Sequence, residues 1–159
     1  MHKTRNDLAA NARKSVSALL NARIADLIDL QRALKYAHWN VKGPQFIALH
    51  ELFDEMTDTY DAHVDDMAER VTALGGTAIG TVQDVAKTTS LEPMPGDVFD
   101  GLKLVEALAN RTATLAKSVR KGIDEAEEAG DADAADILTG LSRQLDKNLW
   151  FLEAHLQKG

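Results

Sequence analysis

The apolar residues of this chain recur at intervals of three and four positions, and this periodicity constrains the fold more than any other feature of the sequence. Such spacing places apolar side chains on one face of an α-helix. Ala, Leu, Glu, Asp and Lys are abundant while aromatic residues make up 5%, which also favours helices. The pattern predicts four long helices. The first two cover about residues 16–41 and 46–74, the third runs from the N-cap Asp97 to the region of residues 125–130, and the fourth follows the break at Gly130-Asp131 and runs nearly to the end of the chain.

Glycine and proline mark the ends of the predicted helices. Residues 77–96 form a longer connection with a short helix expected at residues 81–88. One long crossover between the second and third helices is the topology of ferritin-like bundles. We therefore predict an all-α, ferritin-like four-helix bundle with a short extra helix in the long connection between helices two and three. It forms a single domain over residues 1–159, with residues 1–14 as a short N-terminal tail.

Composition and charge exclude several classes of function. The chain has no cysteine, so disulfides, thiolate metal sites and cysteine nucleophiles are ruled out. We see no apolar leader and no apolar run long enough for a membrane span, so we expect a soluble, cytoplasmic protein. The formal charge of -7 disfavours polyanion binding and suits cation binding.

Polar residues share one face of the second predicted helix. With His50 set at 0°, a rotation of about 100° per residue puts Asp54 at about 40°, Asp65 at about 60° and Glu69 at about 100°. The apolar stripe of the same helix is centred at about 250°. The polar set therefore points away from the core of its own bundle, unlike the inward ligands of a usual ferritin-like di-iron site.

The same helix geometry separates these residues into two pairs. His50 with Asp54 and Asp65 with Glu69 lie roughly 22 Å apart on a straight helix, too far for one ion. If two copies pack antiparallel across a two-fold axis, each pair meets the other pair of its partner. His38 can add a nitrogen, and such a set suits Fe(II), Mn(II) or Zn(II). The alternative to a metal site is an acidic helix face that is simply solvated, and the alternative for His38 is a histidine buried in the core. Asp58 and Asp61 share the polar face and could be accessory acids, but spacing does not rank them.

Two stretches of the chain resemble the Dps (DNA protection during starvation) family. AHWNVKGPQFIALHELFDEM and DAHVDDMAERVTALGG carry its central signature, and TRND and SRQLDKNLWFLEAHL extend the match towards both ends. The resemblance implies that one subunit supplies His38, His50 and Asp54 while a two-fold partner supplies Asp65 and Glu69. It further implies a ferroxidase that forms a hollow homododecamer, oxidises Fe(II), preferentially with hydrogen peroxide and otherwise with oxygen, and stores ferric mineral.

Three further residues receive functional interpretations with plainer alternatives. Trp39, next to His38, is a candidate redox-active neighbour of the iron site, although packing in the core or an interface is the ordinary role of tryptophan. The resemblance makes Asp131 and Asp136 candidates for the pore through which iron enters. Their alternative role is to cap the N-terminus of the last helix.

Direct DNA binding is the part of the family's activity that this sequence favours least. Only Met1, His2 and Lys3 precede the TRND element, whereas some members carry a longer basic tail there. Twelve copies of a chain with charge -7 would also repel phosphate. We therefore expect weak or absent DNA binding. The competing functions are a nucleoid-compacting protein with little ferroxidase activity and a purely structural assembly protein.

Overall fold

The computed structural model describes residues 1–158 and consists of helices joined by loops. The described residues contain no β-strand; a single isolated bridge joins Lys42 to Asp100. No helix in this part of the chain is both long enough and apolar enough to cross a bilayer. The all-α prediction is confirmed, and the helices are α1 (Ala10–Asn40), α2 (Phe46–Asp58), α3 (Asp61–Ala73), α4 (Val82–Thr88), α5 (Gly101–Glu128) and α6 (Ala132–Ala154).

Four helical rods enclose the core: α1, the α2 and α3 pair, α5 and α6. α1 and α5 run antiparallel, because Lys42 at the end of α1 lies beside Asp100 at the start of α5, and Leu19 packs near Gly122. The short helix α4 lies in the crossover, as predicted, and packs against α1. The most deeply buried large side chains come from all four rods and include Leu20, Leu27, Leu34, Phe53, Tyr60, Met67, Leu104, Leu108, Leu138 and Leu145.

The second rod is broken, which corrects the prediction of one continuous helix over residues 46–74. α2 ends at Asp58 and α3 starts at Asp61. The hydroxyl of Thr57 donates to the carbonyl of Phe53 at 2.8 Å, and that of Thr59 donates to the carbonyl of Met56 at 2.7 Å. Threonine hydroxyls that bond backwards in this way bend helices. The helical periodicity continues across the break, so the apolar pattern alone does not reveal it.

The helix ends differ from the prediction in two places. α1 begins at Ala10, so residues 10–14 of the predicted tail are helical. The N-cap of α5 is Asp100 rather than Asp97, because its carboxylate accepts the backbone N–H of Lys103 at 3.1 Å. α6 starts at Ala132, after the predicted break at Gly130-Asp131, where the φ of +78° at Gly130 suits the turn between α5 and α6.

The first residues of the chain pack against the C-terminal end of α3. The backbone N–H of His2 donates to the carbonyl of Gly75 at 2.6 Å, and the Arg13 guanidinium donates to the carbonyl of Leu74 at 3.1 Å. The hydroxyl of Thr4 donates to Ala73 at 3.4 Å. Carbonyls at a helix C-terminus have no partner within the helix. The N-terminal segment supplies those partners here and is thereby held on the bundle.

Candidate metal centre

His38 and His50 stack against each other where α1 turns into α2. Their ring centroids lie 3.7 Å apart with an interplanar angle of 21°. His38 is in the last turn of α1 and His50 in the second turn of α2, so the short connection through Gly43 and Pro44 brings them together. Both rings are partly exposed. The structure thus brings these two candidate ligands together, and His38 is not buried in the core.

Reciprocal hydrogen bonds fix the orientation of the two rings. The Nδ1 of His38 lies 2.7 Å from the carbonyl oxygen of His50, and the Nδ1 of His50 lies 2.8 Å from that of His38. Each Nδ1 must carry the proton in order to donate to a carbonyl, which leaves the lone pair on Nε2. Metal-binding histidines are commonly oriented by such a bond from their second nitrogen. Two imidazoles with available Nε2 atoms fit a divalent transition metal.

Asp54 adds a carboxylate close to the histidines, but the carboxylate is paired with a lysine. Lys35 of α1 donates a hydrogen bond to Asp54, with both side chains partly exposed. That bond, more than the nearby charges of His38 and His50, holds the pKa of Asp54 below its usual range. Asp54 is therefore ionised at neutral pH and ready to bind a cation. A metal that takes Asp54 as a ligand competes with Lys35 for this carboxylate.

Lys35 is the residue of this site that the sequence prediction missed. It lies three positions before His38 on α1, and this spacing puts the two side chains on one face of the helix. That spacing was the available signal. Lysine is not a usual metal ligand, however, so the spacing alone did not mark Lys35 as part of a metal site.

Asp65 and Glu69 lie on α3, and both are exposed. Asp65 lines a shallow depression together with Gln31 and Asp61. Within residues 1–158, no group of three or more histidine, aspartate or glutamate side chains is arranged to hold one ion. One chain therefore presents its predicted ligands as separate, incomplete sets.

Exposed apolar residues surround the histidine pair. Trp39 is 68% exposed, Ile47 59% and Phe46 45%, and the ring of Phe46 lies 5.2 Å from that of His50. Trp39 is thus not a core residue of its own bundle. Large apolar side chains grouped in this way are typical of a surface that another molecule covers.

The two aspartates predicted to line a pore have different environments. Asp131 is the N-cap of α6; it is buried, accepts the backbone N–H of Ala134 at 3.0 Å and pairs with Arg70 at 2.6 Å. Asp136 is exposed and lines a recess with Glu127 and Thr139. The capping alternative therefore describes Asp131 in the single chain, while Asp136 has a side chain free to face a channel.

Known proteins resemble this chain over nearly all of its length. A family model described as a ferritin-like domain matches residues 17–159. A curated relative from Agrobacterium fabrum (strain C58), named DNA protection during starvation protein, is 51% identical over 157 residues; the match covers 99% of this chain and 97% of the relative. The chain belongs to the Dps family of ferritin-like proteins. The resemblance noted in the sequence is thus confirmed.

Solved Dps structures have the same fold. DpsC from Streptomyces coelicolor is 26% identical with a TM-score of 0.94, and the match covers 99% of this chain and 92% of that one. Dps from Mycobacterium smegmatis, in its tetragonal form, is 29% identical with a TM-score of 0.93, covering 98% and 95%. The ferritin-like fold is therefore established for this Dps chain, while the roles of its individual site residues stay predictions.

Proposed function

We propose that this Dps chain is a ferroxidase that oxidises Fe(II) at sites shared between two copies and stores the ferric product in a hollow dodecamer. The observation that carries the proposal is the stacked pair of His38 and His50, each with its Nδ1 bonded to a carbonyl and its Nε2 left for a metal. Asp54 lies near both histidines and would add a carboxylate from the same chain. Asp65 and Glu69 of a partner would supply the remaining oxygens.

Two features support a shared site rather than a site within one chain. The predicted ligands do not converge in the described part of a single chain. The apolar surface of Trp39, Phe46 and Ile47 lies next to the histidines and is exposed. A two-fold partner that brings Asp65 and Glu69 to the histidines would also cover this surface.

The proposed reaction balances with hydrogen peroxide as the oxidant. Two Fe(II) ions lose one electron each, the O–O bond of peroxide accepts both electrons and breaks, and the protons leave with the hydrolysis of the ferric ions. Because both electrons come from metal held by the protein, no hydroxyl radical is released. Oxygen is the alternative oxidant. Trp39, one position from His38, is proposed as a redox-active neighbour that supplies an electron when only one iron is bound.

The same proposal extends to the route by which iron enters and to the cellular compartment in which the protein acts. We propose Asp136 as a residue of the pore through which iron enters, since its carboxylate is exposed at the start of α6. Asp131 is retained at this pore only as the buried cap that orients the helix start. The site of action is proposed to be the cytoplasm, where Fe(II) is the soluble form of iron.

The second candidate function is compaction of DNA by direct binding, which the name of the relative from Agrobacterium fabrum suggests. The charge of -7 per chain opposes it, because phosphate contacts need clustered Lys and Arg. Arg13, near the N-terminus, already donates to the carbonyls of Leu8 and Leu74. We propose that protection of DNA is indirect, through removal of iron and peroxide. A gel-shift series against salt tests this proposal, and a band retained near physiological salt would contradict it.

The ferroxidase proposal is tested by adding Fe(II) to the purified protein without oxygen and then adding peroxide. We expect a stoichiometric ferric absorbance that appears faster than in buffer. Glu69→Gln should abolish the acceleration, whereas Glu106→Gln, which changes an exposed glutamate of α5, should leave it intact. Equal rates for protein and buffer would overturn the proposal, and loss of rate in both variants would show that the effect is not specific to the site.

A further inference from the structure

The break between α2 and α3 separates the two predicted ligand pairs. His50 and Asp54 lie on α2, while Asp65 and Glu69 lie on α3. The relative direction of the two helices therefore decides where one pair sits when the other is fixed. In a two-fold dimer, that direction sets the distance between the histidines of one chain and the carboxylates of its partner.

Gln31 of α1 bonds to both sides of the break. Its amide nitrogen donates to the carbonyl of Thr57, the second-last residue of α2, at 3.3 Å. The same nitrogen donates to the carboxylate of Asp61, the first residue of α3, at 2.7 Å. Gln31 is only 4% exposed on the core side of α1. Burying an amide costs free energy unless it is hydrogen-bonded, and the amide nitrogen of Gln31 has two acceptors here.

The carbonyl of Thr57 also accepts the backbone N–H of Tyr60 at 3.2 Å, which is the tight turn of the break itself. Gln31 thus gives this carbonyl a second donor at the place where the regular helical pattern is lost. On the opposite side of the break, Asn148 of α6 donates to the hydroxyl of Thr59 at 3.2 Å. Asn148 bonds to Thr59 and Tyr60, the two residues between the helices, so Gln31 alone of the two bonds to residues of both α2 and α3.

We propose that Gln31 is a positioning residue for the metal site: by bonding Thr57 and Asp61, it fixes the direction of α3 and with it Asp65 and Glu69. This inference rests on the proposed function. Asp61, Asp65 and Glu69 follow each other at four-residue intervals on one face of α3. Gln31 and Asp65 line the same depression.

A small tilt of α3 displaces Glu69 strongly, because Glu69 lies far along the helix from the residue that Gln31 holds. Glu69 lies eight residues beyond Asp61, so it is about 12 Å along the helix from the point that Gln31 holds. A tilt of α3 by about 5° about that point moves Glu69 by about 1 Å. Binding sites need their ligands within about 0.5 Å of the productive geometry. Loss of the Gln31 bonds should therefore weaken metal binding before it disrupts the fold.

Zinc binding to the assembled, metal-free protein, measured by calorimetry, tests the proposal without relying on oxidation. Gln31→Met keeps the length of the side chain but removes its donor, and we expect Zn(II) to bind about tenfold more weakly. The KM for Fe(II) should rise with a smaller change in kcat. Thr112→Val, which removes a buried hydrogen bond to Leu108 in α5, is the control and should leave Zn(II) affinity unchanged.

Asp61 provides a second, independent pair of variants, since its exposed position tolerates change. Asp61→Asn keeps an oxygen that can accept from Gln31 and should bind Zn(II) as the wild type does. Asp61→Leu removes the acceptor and should behave like Gln31→Met. If Asp61→Asn weakens binding as much as Asp61→Leu does, charge rather than position is responsible and the proposal is overturned.

The outcomes also separate this inference from the proposed function. If the wild type shows no Zn(II) site that Glu69→Gln removes, the shared metal site itself fails. If that site is present and both Gln31→Met and Asp61→Leu retain its full affinity, only the role of Gln31 is refuted. If Gln31→Met does not assemble, the two Asp61 variants still decide the question.

Discussion

Replacing Asp131 by alanine tests whether this carboxylate stabilises the fold or serves the passage of iron. Its buried side chain caps α6 through Ala134 and pairs with Arg70 at 2.6 Å. Loss of an N-cap costs about 1 kcal/mol. Breaking a buried ion pair costs about 3–5 kcal/mol, and we expect about 3 kcal/mol because Asp133 stays 3.0 Å from Arg70. The total of about 4 kcal/mol corresponds to a fall in Tm of about 8–16 °C.

The assay is thermal unfolding by circular dichroism at one protein concentration, followed by iron uptake at a temperature where every variant is folded. Asp131→Asn retains the capping oxygen and loses only the charge, so its Tm should lie between those of the wild type and Asp131→Ala. Asp136→Asn changes an exposed carboxylate and should leave the Tm unchanged while slowing iron uptake. An unchanged Tm in Asp131→Ala together with slower uptake would refute the capping role and favour the pore.

Three further perturbations test other parts of the structure. Burial raises the pKa of Tyr60 above its ordinary value of 10.0, so the folded state keeps this proton longer than the unfolded state does. Its contribution to stability is complete below about pH 10 and is lost as the pH rises further. In urea unfolding measured at a series of pH values, Tyr60→Phe should therefore lose less stability above about pH 10 than the wild type does. Gly130→Ala should cost about 1 kcal/mol because of the positive φ, whereas Gly96→Ala, with open space around it, should leave the Tm nearly unchanged. Lys35→Met should tighten Zn(II) binding measured by calorimetry, because Asp54 loses a competing cation; equal or weaker binding would contradict this.

The helices and their order were predictable because they depend on local patterns. Apolar spacing, glycine and proline act within a few residues of the chain, and they placed the four rods and the short helix α4 close to their observed positions. The errors occur where side chains compete for backbone groups. Asp97 and Asp100 are both residues that can cap a helix, and the structure shows Asp100 in that role, in a segment that also bonds to the distant Lys42.

The candidate ligands were named from the sequence, but the contacts around them were not. Helix periodicity placed His50, Asp54, Asp65 and Glu69 on a common face, and the resemblance to Dps gave roles to these four residues and to His38. The break after α2, the Lys35 contact to Asp54 and the Gln31 contact to Asp61 were not predicted. The two side-chain contacts join residues 19 and 30 positions apart, so neither follows from periodicity within one helix.

The central claim is that each metal site takes ligands from two chains, and mixed assemblies test it most directly. Asp54→Ala and Glu69→Ala chains are unfolded together, refolded as an equal mixture, and titrated with Fe(II) and peroxide. In a mixed two-fold pair, one site carries both defects while the other has every ligand intact. Random pairing therefore predicts recovery of about one quarter of the wild-type sites, although each variant alone is inactive. A mixture as inactive as its two components would contradict the shared site.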